Sequence, residues 1–177
     1  MTTFLSRITG AALLNAQAYE DVEGDRSATG QAVAVVLLSS LAAGVGALGP
    51  MDARPAALAG ISFLAFAVWV AWSLLTLQIG TRLLPGASTH ADFGELLRVT
   101  GFASAPGILR VAGVIPGYTT TVFVITLLWM LMGMIVGVRQ ALDYTSTFRA
   151  LAVCALGLAL ALTLAFVIGF VFSPVLY

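Results

Sequence analysis

Residues 119 to 138 read TTTVFVITLLWMLMGMIVGV, twenty consecutive positions without an Asp, Glu, Lys, Arg or His. A helix of about 20 predominantly apolar residues is long enough to cross a hydrocarbon core of about 30 Å. Lipid offers the backbone no water, so each polar group must be satisfied within the segment, and helix is the expected form. Working outward, residues 31–48, 56–80 and 150–172 are equally free of charge. The whole chain agrees: 60% of its 177 residues are hydrophobic, 9% are charged and the mean hydropathy is +1.03. Soluble globular domains lie far from those values. The chain therefore reads as an all-α integral membrane protein with one membrane domain, 31–177, behind a short preface, 1–30.

The stretch 93–117 is the ambiguous one. It is moderately apolar, yet it carries Glu95, Arg98, Arg110, a mid-segment Pro106 and glycines at 94, 101, 107 and 113. As a spanning helix it would run over about 96–115 and break at Ala105-Pro106. Eleven residues separate Arg98 from Arg110, about 17 Å of helix. Snorkelling arginine stems can extend that reach at both ends. A re-entrant hairpin is the alternative. Arginine placement chooses between them. With five spans and the N-terminus inside, Arg7, Arg26, Arg82, Arg98, Arg139 and Arg149 lie inside, and only Arg54 and Arg110 lie outside. With four spans the split weakens to five against three. The excess of positive charge on the inner side favours a bundle of five transmembrane helices, about 31–49, 56–80, 96–115, 119–138 and 150–172, with the third weak and Pro-broken.

In the preface, Phe4, Leu5, Ile8, Ala11 and Ala12 recur at helical spacing, which predicts a short amphipathic helix in the interface. Tyr19 to Asp25 reads YEDVEGD, four acids in seven residues. Gly24 is expected to break any helix there, and Ser27 or Thr29 can cap the first span. Gly49-Pro50 marks a turn, and Pro55 suits the first turn of the second span, where its missing donor costs nothing. The sequence from Leu84 to His90 reads as a polar loop.

No catalytic, cofactor-binding or metal-binding constellation is visible. The one histidine, His90, has no second His and no nearby Cys to complete a metal shell. Its neighbours Asp92 and Glu95 fit ordinary loop chemistry. All eight basic residues are arginines, so Schiff-base chemistry and a Walker-type phosphate loop are excluded. They are scattered singly, which argues against a nucleic-acid surface. Cys154, alone in the last apolar run, reads as a packing residue. Ser39, Ser40, Ser62, Thr76 and Thr126 inside spans are expected to bond to backbone carbonyls four residues back.

Two constellations stand out. Gly133 and Gly137 form a GxxxG in the fourth apolar run, a spacing that allows close helix approach. Glu95 and Arg98 share a helix face, and topology places them on the same side as Arg139 and the acidic preface with Asp25. An inner-face polar cluster of Asp25, Glu95, Arg98 and Arg139 follows, with helix-end charges at the headgroups as its plainer reading.

These residues resemble the Ypt/Rab-interacting-protein (Yip) domain family in its compact bacterial form, from about Tyr19 to Phe172. The resemblance is carried by Tyr19-Glu20-Asp21-Val22 and Asp25, by Glu95-Leu96-Leu97-Arg98-Val99 with Gly101-Phe102-Ala103-Ser104-Ala105-Pro106, by Gly137-Val138-Arg139-Gln140-Ala141, and by Arg149-Ala150. It implies a five-span, N-inside fold and no particular chemistry. Eukaryotic relatives are linked to small GTPases through long cytosolic N-terminal regions, and about thirty residues precede the first span here, which argues against a GTPase partner. The expected function is a non-enzymatic scaffold or accessory subunit in the cell inner membrane, contacting the lipid bilayer and other membrane proteins. A small-solute or ion transporter or channel is the alternative.

Overall fold

A computed structural model describes residues 3–49, 54–86 and 89–172, with side chains through residue 160 and at Thr163. Residues 50–53, which hold Pro50 of the expected turn, and Ala87 and Ser88 of the expected loop lie outside the described residues. The order is α1 (Phe4–Ala12), α2 (Ala16–Gly24), α3 (Ala28–Leu48), α4 (Pro55–Gln78) with a π-helical end (Ile79–Leu83), α5 (Phe93–Ala103), a 3-10 helix (Ala105–Val114), α6 (Thr119–Ala141) and α7 (Thr147–Phe172). No strand occurs among the described residues.

Three helical stretches are long and apolar enough to cross a membrane: Ala28–Leu48, Pro55–Leu83 and Thr119–Ala141. Thr147–Leu160 is a shorter apolar helix.

Local sequence explains most boundaries. Thr3 caps α1, its hydroxyl accepting from the Ser6 amide at 3.3 Å, and Asn15 caps α2 by accepting from Gln17 N at 2.9 Å. Between them Leu14 adopts φ +59°, which turns the chain back on itself. The preface thus forms two helices in a hairpin, where the sequence predicts one. α3 begins at Ala28, three residues before the expected start, with Ser27 at its N-cap and no side-chain capping bond. The Ser27 hydroxyl instead donates to Asp25 at 2.6 Å. Pro55 opens α4 as expected. Asp92 and Glu95 close a capping box on α5, with reciprocal bonds of 2.8 and 2.7 Å, each satisfying an orphan donor.

The third segment breaks where its proline requires. α5 ends at Ala103, Ser104 turns, and Pro106 sits in the first turn of the 3-10 helix. Proline has no amide to continue the α ladder and its ring clashes with the carbonyl four residues back. The break is partly repaired locally: Ser104 Oγ donates to Gly101 O at 2.6 Å, and Gly107 N donates to Ser104 O at 2.9 Å.

The broken segment nevertheless runs the length of α3. Gly101 lies against Ala32 and Gly107 against Ser39, each too close for a Cβ, and Gly113 lies tightly against Gly46. Three contacts at seven-residue steps along α3 show the two running in the same direction from end to end. The glycines let a kinked, slender segment sit in the groove between α3 and α6, where small residues permit close backbone approach.

Burial is uneven along the bundle. Tyr19, Val22, Val35, Leu96, Val99, Phe102, Val138 and Leu142 have no exposed surface. They cluster where α2, α5 and the end of α6 meet. At the opposite end Leu109, Val111, Ile115, Tyr118 and Val124 are exposed.

Candidate functional site

The GxxxG has a partner inside the chain. A Cβ on Gly133 would lie 2.9 Å from Tyr19 Oη, and one on Gly137 would lie 3.1 Å from the Tyr19 ring and 3.3 Å from Val99 Cβ. The two glycines form a seat for one tyrosine of the preface, with α5 behind it. Tyr19 donates its hydroxyl to Ala11 O at 3.2 Å, so the buried phenol is satisfied within the hairpin. Trp129 Nε1 donates to Ala12 O at 2.6 Å. That tryptophan lies ten residues before Arg139, about 15 Å along the helix. The hairpin tip therefore reaches nearly halfway along α6.

Arg98 holds the other arm of the hairpin. It is 4% exposed, and its Nε lies 2.9 Å from Val22 O and 3.0 Å from Glu23 O, with one terminal nitrogen also on Glu23 O. These are terminal carbonyls of α2, which lack intrahelical partners and carry the negative end of the helix dipole. A guanidinium offers several donors in a fixed fork and suits that role.

Direct contact does not join the four residues of the expected polar cluster. Among the described residues, no hydrogen bond or ion pair links any two of Asp25, Glu95, Arg98 and Arg139. Asp25 pairs with Arg7 at 2.6 Å, and Arg7 also donates to Gln31 at 3.0 Å. Glu95 serves its own helix cap. Arg139 Nε donates to Tyr144 O at 3.2 Å across the α6–α7 turn. All four lie at one end of the bundle, each fastening a different pair of elements.

Further contacts fasten the same end. Gln140 donates to Glu20 at 2.7 Å. The Tyr144 hydroxyl lies 2.9 Å from Gly80 O and 2.7 Å from Leu84 O, and Arg149 donates to Pro85 O at 3.0 Å. The π-helical end of α4 lets these carbonyls face the tyrosine. We call this the arginine-rich end.

Two carboxyls there are displaced from their ordinary values. Hydrogen bonds from Ser27 and then Arg7 hold Asp25 down at about 2. Glu23 is pushed up to about 7, first by burial and then by the nearby Glu95, Asp143 and Glu20, against the pull of Arg98. No group of three or more His, Cys, Asp or Glu among the described residues could hold a metal ion.

Deeper in the bundle, the polar side chains bond to one another. Trp69 Nε1 donates to Thr100 Oγ1 at 3.1 Å, and the Ser73 and Thr100 hydroxyls lie 2.8 Å apart, so that one donates to the other and the second proton goes to a carbonyl four residues back. Thr126 bonds back to Val122 O as expected, whereas Ser40 bonds to Leu37 O and to Ser62.

At the opposite end Arg110 has a different setting. It is half-buried, its Nε donates to Thr126 Oγ1 at 3.1 Å, and its guanidinium lies over the Phe123 ring at 5.3 Å.

A family model described as the Yip1 domain matches residues 12–170, nearly the whole chain. No curated protein and no solved structure matches.

Proposed function

The chain belongs to the Yip1 domain family, and from that premise we propose that this Yip-type membrane protein is a non-enzymatic scaffold or accessory subunit, organising other membrane proteins or the bilayer around it. The carrying observation is α4. Only Trp69, Ser73 and Thr76 of its 24 residues are buried, while Phe63, Leu64 and Leu74 are exposed. That apolar face suits the packing of a neighbouring membrane helix, where association is driven by van der Waals fit rather than by water. The N-terminal hairpin adds cross-section beside one half of α6 only, which supports a role in bilayer organisation.

The proposed topology is five spans with the N-terminus inside, in the bacterial inner membrane. Support comes from the parallel course of α3 and the Pro106 segment, since two parallel segments separated by α4 fit successive crossings. The gathering of Arg7, Arg98, Arg139 and Arg149 at one end fits the inner-side excess of positive charge. In a Cys154→Ala background, a cysteine at Ala53 should react with an impermeant thiol reagent from outside and one at Ser146 should not. Labelling of Ser146→Cys alone from outside would overturn this topology.

A photoreactive amino acid at Phe63 in native membranes tests the scaffold reading. Discrete protein adducts are expected at Phe63 and none at the buried Trp69. Lipid adducts alone at Phe63 would overturn it. A transporter or channel, the alternative, draws on the helix break at Pro106 beside an apolar cavity. Solute flux in reconstituted vesicles would favour it, although the mutual bonding of Trp69, Ser73 and Thr100 leaves those groups unavailable to line a hydrated path.

A further inference from the structure

A cavity of about 350 Å³ lies between α3, α4, the Pro106 segment, α6 and α7. Its walls are mainly apolar, with Ser39, Ser104, Trp72 and Arg110 among them. Val68 and Leu127, each about half-exposed, also line it, so it opens sideways toward the surroundings of the bundle. A second cavity, about 420 Å³, lies between Ala47, Thr119, Thr120 and Phe123 near the start of α6. Arg110 and Leu127 line both. The two spaces therefore meet at the guanidinium, the first deep and apolar, the second closer to the bundle's end.

One cation at this junction has donors to spare. Arg110 spends only its Nε on Thr126, and among the described residues no carboxylate lies within ion-pair distance of it. Its two terminal nitrogens remain available. The Trp72 indole N–H, in the wall of the first cavity only, is the one buried side-chain polar atom among the described residues with no hydrogen-bond partner. An unpaired cation at membrane depth, about 10 Å along α6 from its first residue, is costly unless something pairs with it.

One occupant pairs the cation and fills the apolar space. We propose that this junction binds a single anionic glycerophospholipid, its phosphodiester on the terminal nitrogens of Arg110 beside Thr120, and one acyl chain in the apolar cavity past Trp72. A phosphodiester presents two acceptor oxygens that match the guanidinium fork. The apolar cavity excludes water as a comfortable filling, because a bound water needs several polar partners. The lack of a nearby acid disfavours a headgroup that carries its own ammonium. This site stands independently of the scaffold reading, since it concerns the opposite end of the bundle from the fastened hairpin.

The test uses the full chain, purified and delipidated in mild detergent, with melting followed as lipid is added. Phosphatidylglycerol should raise the melting temperature by several degrees, phosphatidylcholine by much less, and inorganic phosphate not at all. Arg110→Gln should melt like wild type without lipid and bind phosphatidylglycerol about tenfold more weakly, the loss of roughly one charge-assisted contact. Arg110→Lys should retain part of the response. Ala65→Phe, which fills the cavity without touching the guanidinium, should also abolish the shift. Arg82→Gln, exposed at the other end, should leave it intact. Equal shifts with both phospholipids, an undiminished shift in Arg110→Gln, or a response to phosphate alone would overturn the proposal. So would a response to oleate with none to phosphatidylglycerol, which would identify a carboxylate site instead.

Discussion

Arg98 and Arg110 lie twelve positions apart on one continuous segment and meet opposite conditions. Arg98 is enclosed, with its donors on the terminal carbonyls of α2. Arg110 is half-buried beside two cavities, with one bond to a threonine. The bundle around them differs in the same way. At the arginine-rich end the helices are fastened by side chains that reach main-chain carbonyls across tens of residues; at the other, contacts are fewer and leucines and valines face outward. The difference teaches that an arginine near a helix end cannot be assigned to the headgroups by position alone. Whether a backbone carbonyl waits for it decides if it is a fastener or a free donor.

The largest expected effect is at the fastened arginine. Arg98→Gln leaves terminal carbonyls of α2 buried without a donor and should cost about 3 kcal/mol, since hydrogen bonds to charged groups are strong and buried orphans are penalised. Detergent melting would register it as a marked drop, with Arg54→Gln near wild type. Equal sensitivity at the two positions would erase the contrast between fastened and open arginines.

Next comes the Tyr19 seat. Gly137→Ile drives a branched side chain into the Tyr19 ring and should cost about 1–3 kcal/mol, as overpacking does elsewhere. Gly133→Ile should act similarly, and Leu131→Ile should be mild. In a Tyr19→Ala background the Gly137→Ile penalty should shrink. An unchanged penalty there would mean that the ring is not what the glycines accommodate.

Smaller still is the pH response. The Glu23 carboxyl, at about 7 in the fold against an ordinary 4.5, favours docking of the hairpin fully below about 4.5, and that contribution is lost as pH rises through about 7. Melting should fall modestly from pH 5 to pH 8, and Glu23→Gln should flatten that decline. Asp25 behaves in the opposite sense, its contribution present above about 4 and lost as pH falls through about 2. At neutral pH, Asp25→Asn should lower the melting temperature slightly, since it weakens the contact with Arg7.

Much of this arrangement was legible in the chain. Uncharged runs located the long helices to within a few residues, and Pro106 located the break because a missing amide is a local fact. The GxxxG announced a close approach, since two small residues one turn apart can only mean space or accident. The identity of its partner was not legible. Tyr19 lies more than a hundred residues away, and no periodicity connects a tyrosine of the preface to a groove on α6. The role of Arg98 was hidden for a different reason. Its acceptors are main-chain carbonyls, which every residue possesses, so no pattern of side chains marks them. The expected partners were acids because acids are what a sequence displays. The preface was similarly expected as one surface helix; the turn at Leu14 that folds it into a hairpin uses a leucine at positive φ, where a sequence offers no glycine to signal it.

One comparison tests the contrast between the two ends most directly: melting of wild type, Arg98→Gln and Arg110→Gln, each delipidated and each with saturating phosphatidylglycerol. Arg98→Gln should melt well below wild type without lipid and still gain the full lipid shift. Arg110→Gln should match wild type without lipid and gain little. If instead Arg110→Gln is the unstable variant, or Arg98→Gln the one that loses the lipid response, the assignment of fastener and free donor is contradicted.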